Sequence, residues 1–160
     1  MTEDKSYTVA EAHRFFAIQF NGKTWELLEK TERTPEEDEL MIHSAHASCH
    51  HWLEAGTGVH HQRGEWLIAR VYSVLGQAEA ALWHANRCLE LTQEHGNLME
   101  DFDRAFAYEC MARANAVAGN RAEAVRYLEL ATEAGEAIGS EEDRKLFFGD
   151  LRSGDWGDVQ

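Results

Sequence analysis

The sequence predicts an all-α fold built from helical hairpins. No segment alternates apolar and polar residues for long enough to form a strand, whereas apolar stripes at helical spacing recur along the chain and end at glycines. Pro35 is the one proline in 160 residues, which favours long helices. With 44% hydrophobic residues and a length at which about 70% of the chain's surface can be buried, the chain should fold as one domain.

Two local start signals define the first pair of helices. Thr8 and Glu11 have the spacing of a capping box, so a helix should begin at Thr8 and continue to about residue 30. The Asn21-Gly22 pair interrupts its apolar stripe, and two shorter helices are the alternative to one helix with a weak point. Thr34 followed by Pro35 and four acidic residues predicts a second helix to about residue 54, ended by the glycines of 55–58.

Glycine, asparagine and serine signals divide the remainder into five more helices. Their predicted ranges are about 59–75, 78–95, 100–118, 121–139 and 140–151. Asn120 should cap the sixth helix and Ser140 should open the seventh. The domain would thus span residues 1–152. Residues 153–160 should form a flexible C-terminal tail in which Trp156 is the one apolar residue large enough to dock.

The middle of the chain contains an internal repeat. A shift of 43 residues places Gly76 on Gly119 and makes six positions coincide, namely Ala69/Ala112, Arg70/Arg113, Val74/Val117, Gly76/Gly119, Ala81/Ala124 and Glu90/Glu133. Alanines are suited to the close approach of two helices, and glycine is suited to a left-handed turn. The match therefore predicts two copies of one hairpin.

The small, aromatic and glycine positions of both copies resemble the tetratricopeptide repeat (TPR). The positions that fit are Ala69, Tyr72, Gly76, Ala81 and Cys88 in the first copy and Tyr108, Ala112, Gly119, Ala124, Leu128 and Ala131 in the second. Glu65, Ala85 and Asn115 depart from the pattern, and the spacing of 43 residues exceeds the usual repeat of about 34. The resemblance implies a right-handed α-α superhelix, a TPR-like solenoid of about three hairpins with a C-terminal capping helix. The segments HSAHASCHHW, RGEWLIARVYSVLG and AFAYECMARANAVAGN also resemble a family of small bacterial proteins without assigned activity, which implies a fold but no chemistry.

In the TPR architecture the first helix of each hairpin lines a concave groove. The groove positions implied here are Arg63, Trp66, Arg70 and Ser73 of the third helix and Phe106, Glu109, Arg113 and Val117 of the fifth. Because arginine grips carboxylates bidentately and stacks on aromatic rings, the groove should bind a protein or peptide partner through an acidic or C-terminal group, or a small anion. The alternative is that these arginines pair with the protein's own acids. The Lys and Asn set of the chaperone-binding carboxylate clamp is absent, and a small-molecule sensor that uses the same groove is a further hypothesis.

Nine histidines suggest a second kind of site. The hypothesis is a divalent metal held by residues of the second and third helices, namely His43, His46, His50, His60 and His61. His46 and His50 lie four residues apart, which lets two imidazoles reach one ion. No His-Glu-x-x-His or comparable motif accompanies them. The alternative is a polar face that packs on a neighbouring helix or a second subunit.

Composition limits the remaining functions. The net charge of −14 argues against nucleic acid or an anionic membrane as partner. Three cysteines, Cys49, Cys88 and Cys110, suggest buried thiols in a reducing compartment. With no signal peptide and no apolar run of about 18 residues, we expect a cytoplasmic protein. Phosphate loops and catalytic motifs are absent, so we expect a non-enzymatic adaptor without a cofactor, and a homodimer if a second copy covers one solenoid end.

Overall fold

The computed structural model describes residues 4–159, and all regular secondary structure in that range is helical. Seven α-helices lie within this described range: α1 (Val9–Leu28), α2 (Pro35–Ala55), α3 (Gly58–Val74), α4 (Ala78–Glu94), α5 (Asp101–Val117), α6 (Arg121–Glu136) and α7 (Glu141–Leu151). Short 3-10 turns follow α4 and α7, at Gly96–Leu98 and Gly157–Val159. The predicted all-α class is confirmed. Among the residues described, no helix has the length and apolar character needed to cross a membrane.

Helix α1 is continuous, so the one-helix prediction is confirmed over the two-helix alternative. Its capping box is formed: the Thr8 hydroxyl accepts from the amide of Glu11 at 3.2 Å, and the Glu11 carboxylate accepts from the amide of Thr8 at 2.8 Å. Gly22 is exposed, and a Cβ placed there would have no neighbour within 4 Å. The glycine therefore lowers helix propensity without breaking the helix.

Helix α2 begins as predicted, with Thr34 as the cap and Pro35 as the first residue. It ends at Ala55, but Gly56 has an extended backbone with φ −111°, so no left-handed turn is needed there. Glycine is needed at position 56 because the neighbouring His60 side chain leaves no room for a Cβ atom. A Cβ on Gly56 would lie 2.6 Å from the Cβ of His60 in the next helix.

The turns of the two repeat copies have the same backbone hydrogen bonds. Gly76 (φ 73°) and Gly119 (φ 78°) are both left-handed. After each glycine, an amide donates to a carbonyl five residues earlier: Gln77 to Tyr72 and Asn120 to Asn115, both at 2.9 Å. This is the six-residue bond of a Schellman motif. The side-chain cap predicted for Asn120 is wrong, because its Nδ2 donates to Asn115 Oδ1 at 3.2 Å instead of its oxygen capping α6.

Consecutive helices pack most extensively in the pairs α1–α2, α3–α4 and α5–α6. Three hydrophobic clusters follow along the chain, represented by Leu27, Met41 and Ile68, then by Ala69, Ala85 and Met111, and then by Ala105, Ile138 and Phe147. Helix α7 packs on α5 and α6. Trp156, in the predicted tail, is only 4% exposed, and its indole nitrogen donates to the carbonyl of Leu151 at 2.9 Å.

Candidate functional site

One face of the molecule carries two adjoining clefts of about 470 and 690 Å³. Their helical lining comes from α1, α3, α5 and α7. The loop after α1, the turn at Gly76 and the segment after α7 complete the second cleft. Trp25 and Asp150 line both clefts. We call the smaller one the apolar cleft, the larger one the polar cleft, and the two together the groove.

Four aromatic residues line the apolar cleft. Trp25 of α1 stacks on Trp66 of α3 with ring centroids 5.8 Å apart, and Trp66 meets Phe106 of α5 edge-on at 5.5 Å. The other lining residues are Asn21, Gln62, Arg63, Leu67, Phe102, Asp103, Leu146 and Asp150. Leu146 is 68% exposed, so one wall of the cleft is an uncovered leucine on α7.

The polar cleft lies over a buried carboxylate. Glu109 is fully buried and accepts from Arg70 Nη1 and from Trp66 Nε1, each at 2.9 Å, and also from Arg113. Burial lowers the pKa of Arg113, and the neighbouring Glu109 carboxylate opposes that shift. The Arg113 guanidinium also stacks over the Trp156 ring at 4.2 Å from its centroid. Arg113 thus links the centre of α5 to the end of the chain.

The predicted groove residues lie close together, but their charged groups are already paired with other charged residues of the same chain. Arg63, Trp66 and Phe106 line the apolar cleft, Arg70 and Arg113 line the polar cleft, and Glu109 lies beneath them. Arg63 pairs with Asp103 through two bonds of 2.9 and 3.0 Å, and that hydrogen bonding raises the pKa of Arg63. The structure therefore contains the alternative arrangement, in which these arginines pair with the protein's own acids.

Two buried oxygen atoms in the groove lining lack a hydrogen-bond partner among the described residues: Gln62 Oε1 and Asp150 Oδ2. Gln62 is 1% exposed, and its amide nitrogen already donates to Thr92 and to the carbonyl of Asp103. The other oxygen of Asp150 accepts from Arg70 at 3.3 Å. Both free atoms are acceptors, so only an N–H or O–H donor would satisfy them.

Among the residues described, the five histidines predicted as metal ligands do not come together in one group, and of the five only His61 belongs to a cluster of three potential ligand atoms. His43 and His50 are exposed. His60 stacks on Trp52 at 4.5 Å and lies beside the amide of Thr57, while His46 Nε2 lies 2.8 Å from the Tyr72 hydroxyl. Burial, followed by the nearby His84, lowers the pKa of His46. Spacing along α2 alone could not show which neighbouring helices these rings contact.

A different cluster forms where α2, α3 and α4 meet; it consists of Cys49, His61, Glu65 and His84 and is called the His-Glu cluster below. One donor atom each of Cys49, His61 and Glu65 lie within 4.8 Å of one another. His61 Nε2 is 3.3 Å from Glu65 Oε1, and His84 Nδ1 is 2.5 Å from Glu65 Oε2. Burial, followed by the Glu65 charge, raises the pKa of Cys49 to about 12.

Sequence reasoning missed most of this cluster. Glu65 looks like an ordinary helix residue and Cys49 like a small core residue, yet both are buried and adjacent. The available signal was the spacing of His61 and Glu65, which lie four residues apart and so share one face of α3. His84 gives no such signal, because it belongs to another helix.

Comparison with protein-family models, with curated proteins and with solved structures finds no match to this chain. The groove and the His-Glu cluster are therefore interpreted from their own geometry.

Proposed function

We propose that this protein is a non-enzymatic interaction module, a TPR-like superhelix of three helical hairpins that binds a peptide segment of a partner protein in its groove. Two observations support the architecture. The turns after α3 and α5 have matching bonds, and no residue of α2, α4 or α6 is among those that line the groove. An alternation of lining and outer helices is what stacked hairpins produce. The homodimer stays a prediction.

The aromatic lining of the apolar cleft is the observation that carries the functional proposal. Trp25, Trp66, Phe102 and Phe106 present ring surface next to the exposed side chain of Leu146. Aromatic-lined concave surfaces with a few polar groups are the usual form of a binding site. A cleft of about 470 Å³ has room for one or two large apolar side chains.

The charges of the groove favour a neutral or donor-bearing peptide over the anionic ligand expected from the sequence. Arg63, Arg70 and Arg113 are each paired with an internal carboxylate. An incoming carboxylate would have to compete with those carboxylates. The unpartnered oxygens of Gln62 and Asp150 are acceptors, so they offer no donor to an incoming carboxylate.

Selection from a random peptide display library tests this function. The wild-type protein should enrich peptides with a shared large apolar residue. Leu146→Glu places a charge at the rim of the apolar cleft, and because burying one leucine contributes about 1.5–3 kcal/mol, the selected peptides should lose about tenfold or more in affinity.

Leu53→Glu is the matched control, because Leu53 is 54% exposed on α2, outside the groove lining. It should bind the selected peptides as the wild type does. Failure to enrich any peptide family, or equal affinity of the selected peptides for Leu146→Glu and wild type, would refute peptide binding in this groove. A small-molecule ligand of the same cleft would then be the remaining hypothesis for it.

A further inference from the structure

The His-Glu cluster contains a buried carboxylate, that of Glu65, which in the part of the chain that the structure describes is paired with histidines and not with arginine or lysine. Glu65 is 7% exposed, and its ion-pair partners among the described residues are two histidines, His61 and His84. By contrast, the buried Glu109 and Asp103 are paired with arginines. Histidine carries a charge only when protonated, so the negative charge of Glu65 lacks a permanent positive partner. Burying a carboxylate in that state is costly, and a metal ion is one of the groups that removes the cost.

The donor atoms of the cluster are of the types that zinc prefers. A thiolate sulfur, an imidazole nitrogen and a carboxylate oxygen are all common zinc ligands. From the bond lengths of tetrahedral zinc, neighbouring ligand atoms lie about 3.4–3.6 Å apart. His61 Nε2 and Glu65 Oε1 are already 3.3 Å apart, and all three donors are within 4.8 Å. Small side-chain rotations would bring them to coordination distance.

The backbone around the cluster leaves space for the thiol. Gly64 of α3 faces Cys49 of α2, and a Cβ at that position would lie 2.7 Å from the Cys49 sulfur. A side chain at position 64 would clash with Cys49, so either the Cys49 side chain or the backbone of the two helices would have to move. The His61 side chain is 24% exposed, so the cluster is open to solvent on that side and an ion can enter.

We propose that Cys49, His61 and Glu65 bind a zinc ion, with His84 as a positioning residue. The fourth coordination position is left to water, which is the arrangement of open zinc sites. His84 lies against Glu65 Oε2, the oxygen that does not face His61, where an N–H donor fixes the orientation of the carboxylate. Outer partners of this kind hold metal-binding carboxylates in place. This site is separate from the groove and does not depend on peptide binding.

Cobalt(II) titration of the metal-free full chain, purified without a histidine tag, tests the site. Cobalt replaces zinc and reports a thiolate ligand through a charge-transfer band. We expect that band at one equivalent of Co²⁺ in the wild type, its displacement by Zn²⁺, and its loss in Cys49→Ser. His61→Gln and Glu65→Gln should weaken binding strongly, and His84→Gln should weaken it about 10- to 100-fold.

His43→Gln and His50→Gln are the matched controls, because these exposed α2 histidines lie outside the cluster. Both should titrate as the wild type does. Thermal unfolding with and without Zn²⁺ guards against misfolded variants: zinc should raise the midpoint of the wild type and of the controls, but not that of a folded Cys49→Ser protein. Absence of the charge-transfer band in the wild type, or a band and a zinc-induced shift retained in Cys49→Ser, would overturn the proposal.

Discussion

Gly64 lies where α3 meets Cys49 of α2, and it permits a contact that no other residue would. A Cβ there would lie 2.7 Å from the sulfur of Cys49 and 3.2 Å from its Cβ. Gly64→Ala should therefore overpack the contact and lower the free energy of unfolding by about 1–3 kcal/mol.

Gly22→Ala is the matched control for that substitution. Gly22 is also inside a helix, but its Cβ would meet nothing within 4 Å. This change should raise the free energy of unfolding by about 0.5–1 kcal/mol, because alanine is the better helix former. Urea denaturation measures both variants, and changes of the same sign would contradict the assigned difference in packing.

Glu109 is the second residue whose role depends on burial. It holds Arg70, Arg113 and the indole of Trp66 in one network. Glu109→Gln preserves its volume but leaves Arg113 without its carboxylate partner and Arg70 with Asp150 alone. Because both guanidinium groups are largely buried, we expect a loss of about 3–5 kcal/mol of unfolding free energy.

The exposed pair of Glu123 and Arg126 provides the comparison for Glu109. Glu123→Gln should leave the urea midpoint unchanged within experimental resolution, because surface ion pairs contribute little. A Glu109→Gln protein as stable as Glu123→Gln would show that the arginines find other partners.

At the scale of the helices, caps explain why most boundaries are predictable from the sequence. The cap of α2 uses Thr34 and Glu37, three residues apart, so the signal is local and readable. The side-chain cap predicted for α6 is not formed, because the Asn120 side chain donates to Asn115 across the turn. That contact depends on the geometry of the turn, which the local sequence does not show.

Alanine substitutions separate these two helix starts. Thr34→Ala should cost about 1 kcal/mol of unfolding free energy, the usual value of a lost cap. Asn120→Ala removes only a single side-chain bond and should cost about 0.5 kcal/mol. Chemical denaturation measures the free energy of unfolding of both variants. A loss for Asn120→Ala that equals or exceeds that for Thr34→Ala would mean that the Asn120 side chain does cap α6 in solution.

The cap of α2 should also make stability depend on pH. The hydrogen bond from Lys30, followed by the bond from the Thr34 amide, lowers the pKa of Glu37. The folded state therefore binds fewer protons at Glu37 than the unfolded state, so this contribution is complete above the ordinary glutamate pKa of about 4.3 and is lost as the pH falls through the lowered pKa.

Glu37→Gln should flatten the acid side of the stability profile, measured as the urea midpoint at a series of pH values. Glu36→Gln is the control, because Glu36 lies in the same first turn and feels the same helix dipole. If both variants keep the wild-type acid dependence, the bonds to Glu37 do not contribute to it.

At the scale of the whole molecule, the sequence predicts the helices and the positions that face the groove but not the partners of those positions. The apolar periodicity of each helix is a local pattern, and the turn glycines recur at a spacing of 43 residues. Both features can therefore be recognised in the sequence alone. Arg63 and Asp103 are 40 residues apart, and the Cys49, His61 and Glu65 donors come from two helices. Which acid meets which arginine depends on how the helices pack, and that information is not periodic.

The end of the chain is the part of the whole-molecule fold that most needs a solution test. The sequence predicts a flexible tail at residues 153–160, yet Trp156 is 4% exposed and lies under the Arg113 guanidinium. Arg113 also donates to the carbonyls of Asp150 and Ser153, at 2.8 and 3.1 Å. The tail therefore closes the cluster of α5, α6 and α7 and forms a wall of the polar cleft.

Trp156→Ala should lower the free energy of unfolding by about 3–5 kcal/mol, the usual cost of removing a buried aromatic side chain. Trp83→Ala is the matched control, because Trp83 is 62% exposed on α4, and its loss should change stability by no more than about 0.5 kcal/mol. Urea denaturation followed by circular dichroism measures both without relying on tryptophan fluorescence. If the tail is free in solution, the two variants will unfold at the same urea concentration. If it is docked, only Trp156→Ala will lose stability, and the α5–α7 end of the fold then depends on residues beyond the last α-helix.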